Sequence, residues 1–474
     1  MFYRSPEKSV CADVIPFYEN GTYYLFYLRD YRDIKNHGEG SPWCLLTTKD
    51  LVHYVDHGPI LERGGADEQD LYVFTGSVIK SKGLYYIFYT GHNPHFPALG
   101  KAQEKILMAV SEDLLHWKKV KDFAFGAPDY LEPDDFRDPF VYRDEKNNQF
   151  CMLLAARSKS GKPTNSNGIT VRATSPDLYH WTLEKEPFYA PNAFFTHECP
   201  ELFQIGEYWY LAFSEFTDKI LTTYRVSKSP RGPWKTLKVN TFDGHAFYAA
   251  KGTFAGTKRI NFGWDPIKNG ETDDAPWQWG GTIVPHELVQ DPSDGTLYVK
   301  CPQAVLDAYR MEKTLSPWLV VGKATSSQNA FALGNEGLSI VKLGALPRNC
   351  KITCDFTLSD DIGVFGLMLR GSEDYSRYYA VKFEPKMNRL GFDRLPRHDG
   401  CLHTEVDVER YCPLALNVKH HLAIILEDSV YAVFVDDKYA MCGRCFTSED
   451  GNLSLFAQDQ GVAFTDVRLW EEAK

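Results

Sequence analysis

The chain has 474 residues, more than one hydrophobic core usually organises, so two domains are the first expectation. A formal net charge of −11 argues against a nucleic-acid partner, and no run approaches the roughly 18 apolar residues of a membrane-spanning helix. Aromatic residues make up 14% of the chain, which suits pleated sheets and sugar-binding surfaces, and the 11 cysteines are scattered and odd in number, as expected for reduced thiols in a cytoplasmic protein.

The first residues, Met1-Phe2-Tyr3-Arg4-Ser5-Pro6, lack the apolar core of a secretory leader. Two patterns then alternate. The first is an aromatic-apolar run at Tyr23–Tyr27, Tyr85–Tyr89, Phe150–Leu154, Tyr208–Ala212 and Lys258–Phe262. Each follows a turn signal (Asn20-Gly21, Lys82-Gly83, Asn147-Asn148, Gly206, Gly256) that accepts the positive φ of a tight hairpin. The second pattern is Thr48-Lys49-Asp50-Leu51-Val52-His53-Tyr54, repeated at Ser111–Trp117 and Ser175–Trp181 and decayed at Ser229–Trp234. Tyr54, Trp117, Trp181 and Trp234 are 63, 64 and 53 residues apart. A period of this size, with several strands per unit, predicts propeller blades, five of them over residues 8–300.

Before each hairpin lies the strand that a propeller would place innermost. These begin at Asp13-Val14-Ile15, Thr75-Gly76-Ser77, Asp138-Pro139-Phe140, Glu198-Cys199-Pro200 and Phe247-Tyr248-Ala249. Asp13, Gly76, Asp138, Glu198 and Tyr248 stand at nearly the same place in successive units and are expected to converge on one end of the central channel. Three of the five are carboxylates. Pro139 donates no backbone hydrogen bond, so it marks a strand start, an edge or a bulge, and the acid before it faces solvent or a site.

After residue 300 the rhythm changes. Residues 301–316 read as a connector, and 317–474 as an antiparallel β-sandwich with short strands at 351–356, 365–370, 378–383, 421–426, 430–435 and 453–456. Cys350 with Cys354, and Cys442 with Cys445, fall in strand-like segments, which argues for a structural role over zinc or redox chemistry. The fold class is therefore all-β, a five-bladed propeller over 1–300 followed by a sandwich.

Three carboxylates around one funnel suit glycoside hydrolysis, with one carboxyl as nucleophile and another as acid/base. Arg137 beside Asp138 is expected to keep that acid ionised, as a clamp for sugar hydroxyls. Glu198, with Glu201 nearby and no adjacent cation, is the expected proton donor. Asp13, followed by Val14, Ile15 and Pro16, is expected to present a bare nucleophile. His197 is open between tuning Glu198 and plain hydrogen bonding. Trp43, Phe74, Trp264, Trp277 and Trp279 are open between stacking on sugar and packing in the core. His37, His92, His95, His197 and His245 show no metal-ligand spacing, so neither a metal nor another cofactor is expected.

These motifs together resemble the invertase and fructan-hydrolase family of glycoside hydrolases, family 32. Arg137-Asp138-Pro139 matches its Arg-Asp-Pro motif and Glu198-Cys199-Pro200 its Glu-Cys-Pro motif. Phe74-Thr75-Gly76-Ser77 is similar to its Phe-Ser-Gly-Ser stretch, and Trp43 through Tyr54 to its Trp-Gly-His…Asp-Leu-Val-His-Trp segment. Phe247-Tyr248-Ala249-Ala250, Phe262-Gly263-Trp264 and Pro285-His286-Glu287-Leu288 match further pieces. The resemblance implies retaining hydrolysis of terminal β-D-fructofuranosides such as sucrose, sucrose phosphate or fructo-oligosaccharides. It implies Asp13 as nucleophile, Glu198 as acid/base, Asp138 as transition-state stabiliser, and Arg137, Trp43, Phe74, Thr75, Tyr248 and Trp264 as substrate-binding residues. The first motif departs from the family's Trp-Met-Asn-Asp-Pro-Asn-Gly. Here it is Val10-Cys11-Ala12-Asp13-Val14-Ile15-Pro16, without the Trp and with Ala12 for the Asn, which removes a stacking face and a polar group from the fructosyl subsite. That change keeps two alternatives in view, an arabinofuranosidase or xylosidase of the related propeller family 43 and a sugar-binding protein without turnover. The expected partner is a small carbohydrate, with homo-oligomerisation left open.

Overall fold

A computed structural model describes residues 1–6, 9–160, 163–217, 219–397, 406–446 and 450–472. Strands dominate it. All five expected hairpins form, led by Val10–Glu19, Tyr72–Ser81, Arg137–Asp144, Glu198–Ile205 and Tyr248–Ala255. Each of these lead strands pairs antiparallel with the next strand, and a third strand follows. The turn residues behave as their chemistry dictates: Asn20 and Gly21 have φ of 50° and 81°, and Lys82 and Gly83 have 49° and 84°.

The Ser/Thr-x-Asp-Leu repeat is a turn device. Asp50 accepts from the backbone N–H of Val52 and His53 and from the His53 ring, which lets buried Leu51 adopt φ 64°. Asp113 and Asp177 do the same, and Trp117 and Trp181 close the turn by donating to the Leu114 and Leu178 carbonyls at 3.0 and 2.9 Å. The repeat that reveals the periodicity is thus structural in all three complete copies.

The second, third and fourth units are separate sheets of four, four and three strands. The first and fifth share one nine-stranded sheet, joined where Gly281 of Trp277–Gln290 faces Cys11. The lead strands touch in a closed ring, first to second, second to third, third to fourth, fourth to fifth, and fifth back to first.

Within 301–316 the chain forms a short helix, Gln303–Ala308, and a strand, Tyr309–Lys313, that pairs with Val462–Glu472. The stretch read as a connector therefore already contributes to the second unit. That unit is two antiparallel sheets of eight and seven strands. Ile352, Cys354 and Phe356 of one sheet meet Phe365, Leu367 and Leu369 of the other in the core. Residues 422–426 in the strand Lys419–Glu427 are buried on both faces: Leu422, Ile424 and Leu426 enter that core, while Ala423 and Ile425 pack toward the N-terminal unit. Polar ties cross the same boundary. Arg444 Nε lies 3.1 Å from Asp265, and Lys268 Nζ 2.8 Å from Asp407. Among the described residues no helix is long and apolar enough to cross a membrane.

Candidate active site

All five lead strands break register at the place the sequence singled out. The breaks fall between Ala12 and Ile15, Phe74 and Gly76, Arg137 and Phe140, Glu198 and Glu201, and Tyr248 and Lys251. These are β-bulges, which re-aim side chains at barrel rims and active sites. At four of them a residue takes positive φ: Asp13 at 43°, Asp138 at 58°, Cys199 at 50° and Ala249 at 48°. Equivalence is thus one residue off in two units. Asp13 and Asp138 occupy the bulge, while Glu198 and Tyr248 precede it, as Arg137 does in its own strand.

Asp13 is far from bare. Thr75 Oγ1 donates to Oδ2 at 2.5 Å and Trp264 Nε1 to Oδ1 at 3.1 Å. Burial first, and the Asp138 carboxylate second, push its pKa above the ordinary Asp value, against these two donors and the Lys251 ammonium. The expectation of a naked carboxylate fails because the neighbours that matter come from other blades, not from Val14 and Ile15.

Arg137 and Asp138 part company. The Arg137 guanidinium pairs with Asp135, lies 3.1 Å from Glu198 Oε1 and stands 3.7 Å from Glu104. Asp138 instead accepts from the Cys199 N–H at 2.8 Å, and its own N–H donates to Thr90 Oγ1 at 2.9 Å. Adjacent strand residues point to opposite faces, so the neighbour in sequence is not the partner in space. One expectation is corrected here: Glu198 does have a cation beside it, Arg137. Arg137 makes no hydrogen bond to Asp138, while the two charges still act on one another. Glu201 is no neighbour of Glu198 either; it is buried against Arg259 at 2.6 Å.

Glu198 has two partners, Arg137 on Oε1 and the Tyr248 hydroxyl on Oε2 at 2.6 Å. Burial pushes its pKa up to about 7, with Arg137 pulling down and Asp138 pushing up. His197 has turned away. It bonds Thr170 Oγ1 at 3.0 Å and packs on Phe213, and burial lowers its pKa to about 3, so it is a neutral core residue. Trp264 packs on Tyr248 and, edge-on, on the exposed Trp279. Phe74 stacks on His92 at 4.3 Å with one side still partly open. Trp43 is 0% exposed, with its indole N–H on the Phe74 carbonyl, so it is a wall behind the site and cannot stack on a ligand. The reading of Trp43 as substrate-binding is corrected accordingly. Trp277 lies off the site, beneath Lys268 and beside His245.

The sequence reading missed Asp135, Glu104 and Lys251. Lys251 carried a signal, a charge in the otherwise apolar lead run Phe247-Tyr248-Ala249-Ala250. Among the described residues, Asp243, His286 and Cys442 are the one group with metal-ligand spacing. Their atoms already satisfy one another. Asp243 Oδ2 meets His286 Nε2 at 2.8 Å, Asp243 Oδ1 takes the Cys442 N–H, and His286 Nδ1 faces the Pro285 carbonyl. Cys445 lies apart from Cys442, against Arg370.

Comparison with known proteins gives the family. The model of the glycosyl hydrolases family 32 N-terminal domain matches residues 5–301, and that of the family's C-terminal domain matches residues 322–471. The chain belongs to glycosyl hydrolase family 32. This glycoside hydrolase is 24% identical to sucrose-6-phosphate hydrolase of Escherichia coli, over 95% of this chain and 90% of that protein. It is 29% identical to levanbiose-producing levanase of Bacillus subtilis (strain 168), over 98% of this chain and 89% of that protein. Among solved structures, fructan 1-exohydrolase IIa from Cichorium intybus shares the fold with a TM-score of 0.76 at 16% identity, covering 100% of this chain and 97% of that one.

Proposed function

We propose that the family 32 hydrolase cleaves terminal β-D-fructofuranosides by a retaining mechanism on three acids of a five-bladed propeller. The closed ring of five lead strands supports the blade count. In this reading residues 1–300 are the catalytic domain, 301–316 the join and 317–474 the sandwich, which the extents of the two family models support. Relatives named for sucrose 6-phosphate and levan support a fructosyl substrate.

The observation that carries the mechanism is the division of labour among the acids. Asp13 has a donor on each oxygen, which fixes it for attack on the anomeric carbon. Glu198, raised to about 7, keeps a proton in about half of the molecules at pH 7 and in most of them below it, and gives that proton to the leaving oxygen. The fructosyl–Asp13 ester is then hydrolysed by water that the Glu198 carboxylate deprotonates, which restores both acids. Asp138, anchored by the Cys199 N–H, holds ring hydroxyls. Arg137 and Tyr248 serve Glu198 directly, and Thr75 and Trp264 serve Asp13. Ten buried thiols among the described cysteines support a reducing, cytoplasmic setting.

The test is hydrolysis of sucrose, sucrose 6-phosphate, inulin- and levan-type oligosaccharides and an aryl arabinofuranoside, with the product anomer followed by NMR. Release of fructose with retained configuration is expected. Inversion, or preference for the arabinoside, overturns the reading.

A further inference from the structure

Lys251 stands three residues past Tyr248 in the fifth lead strand and is 2% exposed. Its Nζ donates to the Gly76 carbonyl at 2.8 Å. Gly76 belongs to the second lead strand, which is not adjacent to the fifth; the first lies between them on one side, the third and fourth on the other. The side chain therefore crosses the channel from one wall to the other. Gly76 follows Thr75, whose hydroxyl holds Asp13.

A buried ammonium with one carbonyl partner is costly unless anions face it. Among the described residues Lys251 makes no close ion pair. The titratable groups facing Asp13 are Asp138 from the third lead strand, Glu198 and Cys199 from the fourth, and Tyr248 and Lys251 from the fifth. Lys251 is the cation of that set. Arg137, the other cation of the site, pairs with Asp135, Glu104 and Glu198 and also acts on Asp138, and it makes no contact with Asp13.

We propose that Lys251 is a positioning residue of the hydrolase: it ties the Thr75–Gly76 segment across the channel and sets a fixed positive charge beside Asp13, which holds the nucleophile as an anion. This rests on the assignment of Asp13 above. Without the ammonium, only the Thr75 and Trp264 donors are left to oppose burial and Asp138, and protonation of Asp13 silences it at a higher pH.

The pH dependence of kcat/KM on an aryl β-D-fructofuranoside tests this in the full-length protein. In Lys251→Met and Lys251→Gln the acid limb should move up by about one pH unit, a tenfold change in proton affinity. The basic limb should stay in place, and Lys251→Arg should keep the wild-type acid limb. A merely structural lysine would lower kcat without moving the limb. Glutamine keeps an N–H for Gly76, so it carries the test if the methionine variant does not fold. A folded variant with the wild-type acid limb overturns the proposal. So does failure of both variants to fold, which would make the lysine a structural tie alone. Asp13→Ala separates the two levels. Activity in that variant overturns the nucleophile assignment, whereas its loss together with an unmoved limb overturns the role of Lys251 only.

Discussion

Glu198 shows how much of the site is electrostatic. Its raised pKa stabilises the fold fully below the ordinary Glu value and loses that contribution as pH rises through about 7. Glu198→Gln should therefore be inactive yet melt higher than the wild type at pH 8, by a few degrees, with the gap closing near pH 5. Equal melting curves at both pH values would contradict the burial argument. Tyr248 donates to the Glu198 carboxylate and so lowers its pKa. Tyr248→Phe should shift the basic limb of kcat/KM to higher pH while the protein stays folded. Trp43 belongs to the opposite class. Trp43→Phe should cost about 1–3 kcal/mol in denaturant unfolding and leave KM within about twofold, because the ring is sealed from the site. At this scale the acids were legible in the sequence but their partners were not. Glu198 stands without a neighbouring cation in the sequence, yet Arg137 reaches it in space, and Glu201 turns to Arg259. Sequence neighbours on a bulged strand diverge, while Thr75, Trp264 and Tyr248 arrive from other units.

At the scale of the element, the hairpins were the clearest part. Asn20-Gly21 and Lys82-Gly83 announce their own geometry, and the Asp-Leu-x-His turns recur with it. The bulges were not legible. Four of them place a non-glycine residue at positive φ, a conformation with a cost of order 1 kcal/mol that only the surrounding sheet enforces. That is also why Glu198 and Tyr248 fell one position away from their expected equivalence. The second bulge has a different safeguard. A Cβ at Gly76 would sit 1.8 Å from the Phe88 carbonyl oxygen, inside the strand pair itself. Gly76→Ala should therefore abolish soluble expression or lower the melting temperature by more than 10 °C, roughly the effect of several kcal/mol. A variant with near-native stability would show that the pair can shift to make room.

For the whole molecule, the two units were legible from the change in rhythm near residue 300. Their interface was not, because the stretch 422–426 reads as one apolar run whichever face meets the neighbour. Asp265 and Arg444 are both buried there. Removing one partner of a buried pair strands the other charge, so Arg444→Met should destabilise by about 3–5 kcal/mol, seen as a lower denaturant midpoint for the whole chain. Loss of less than about 1 kcal/mol would mean the interface relaxes around the vacancy.

The closed ring also sets a timetable. Asp13 waits for Trp264, 251 residues later, and Cys11 for Gly281. Contacts of such long sequence separation carry a loop-closure cost that must be met before they stabilise anything, and they slow folding. A chain leaving the ribosome can complete the middle three sheets while its N-terminal strand still has no partner on one edge. Asp13 gains its Trp264 donor only when the fifth hairpin seals the circle, so under the mechanism proposed above catalytic activity reports on ring closure.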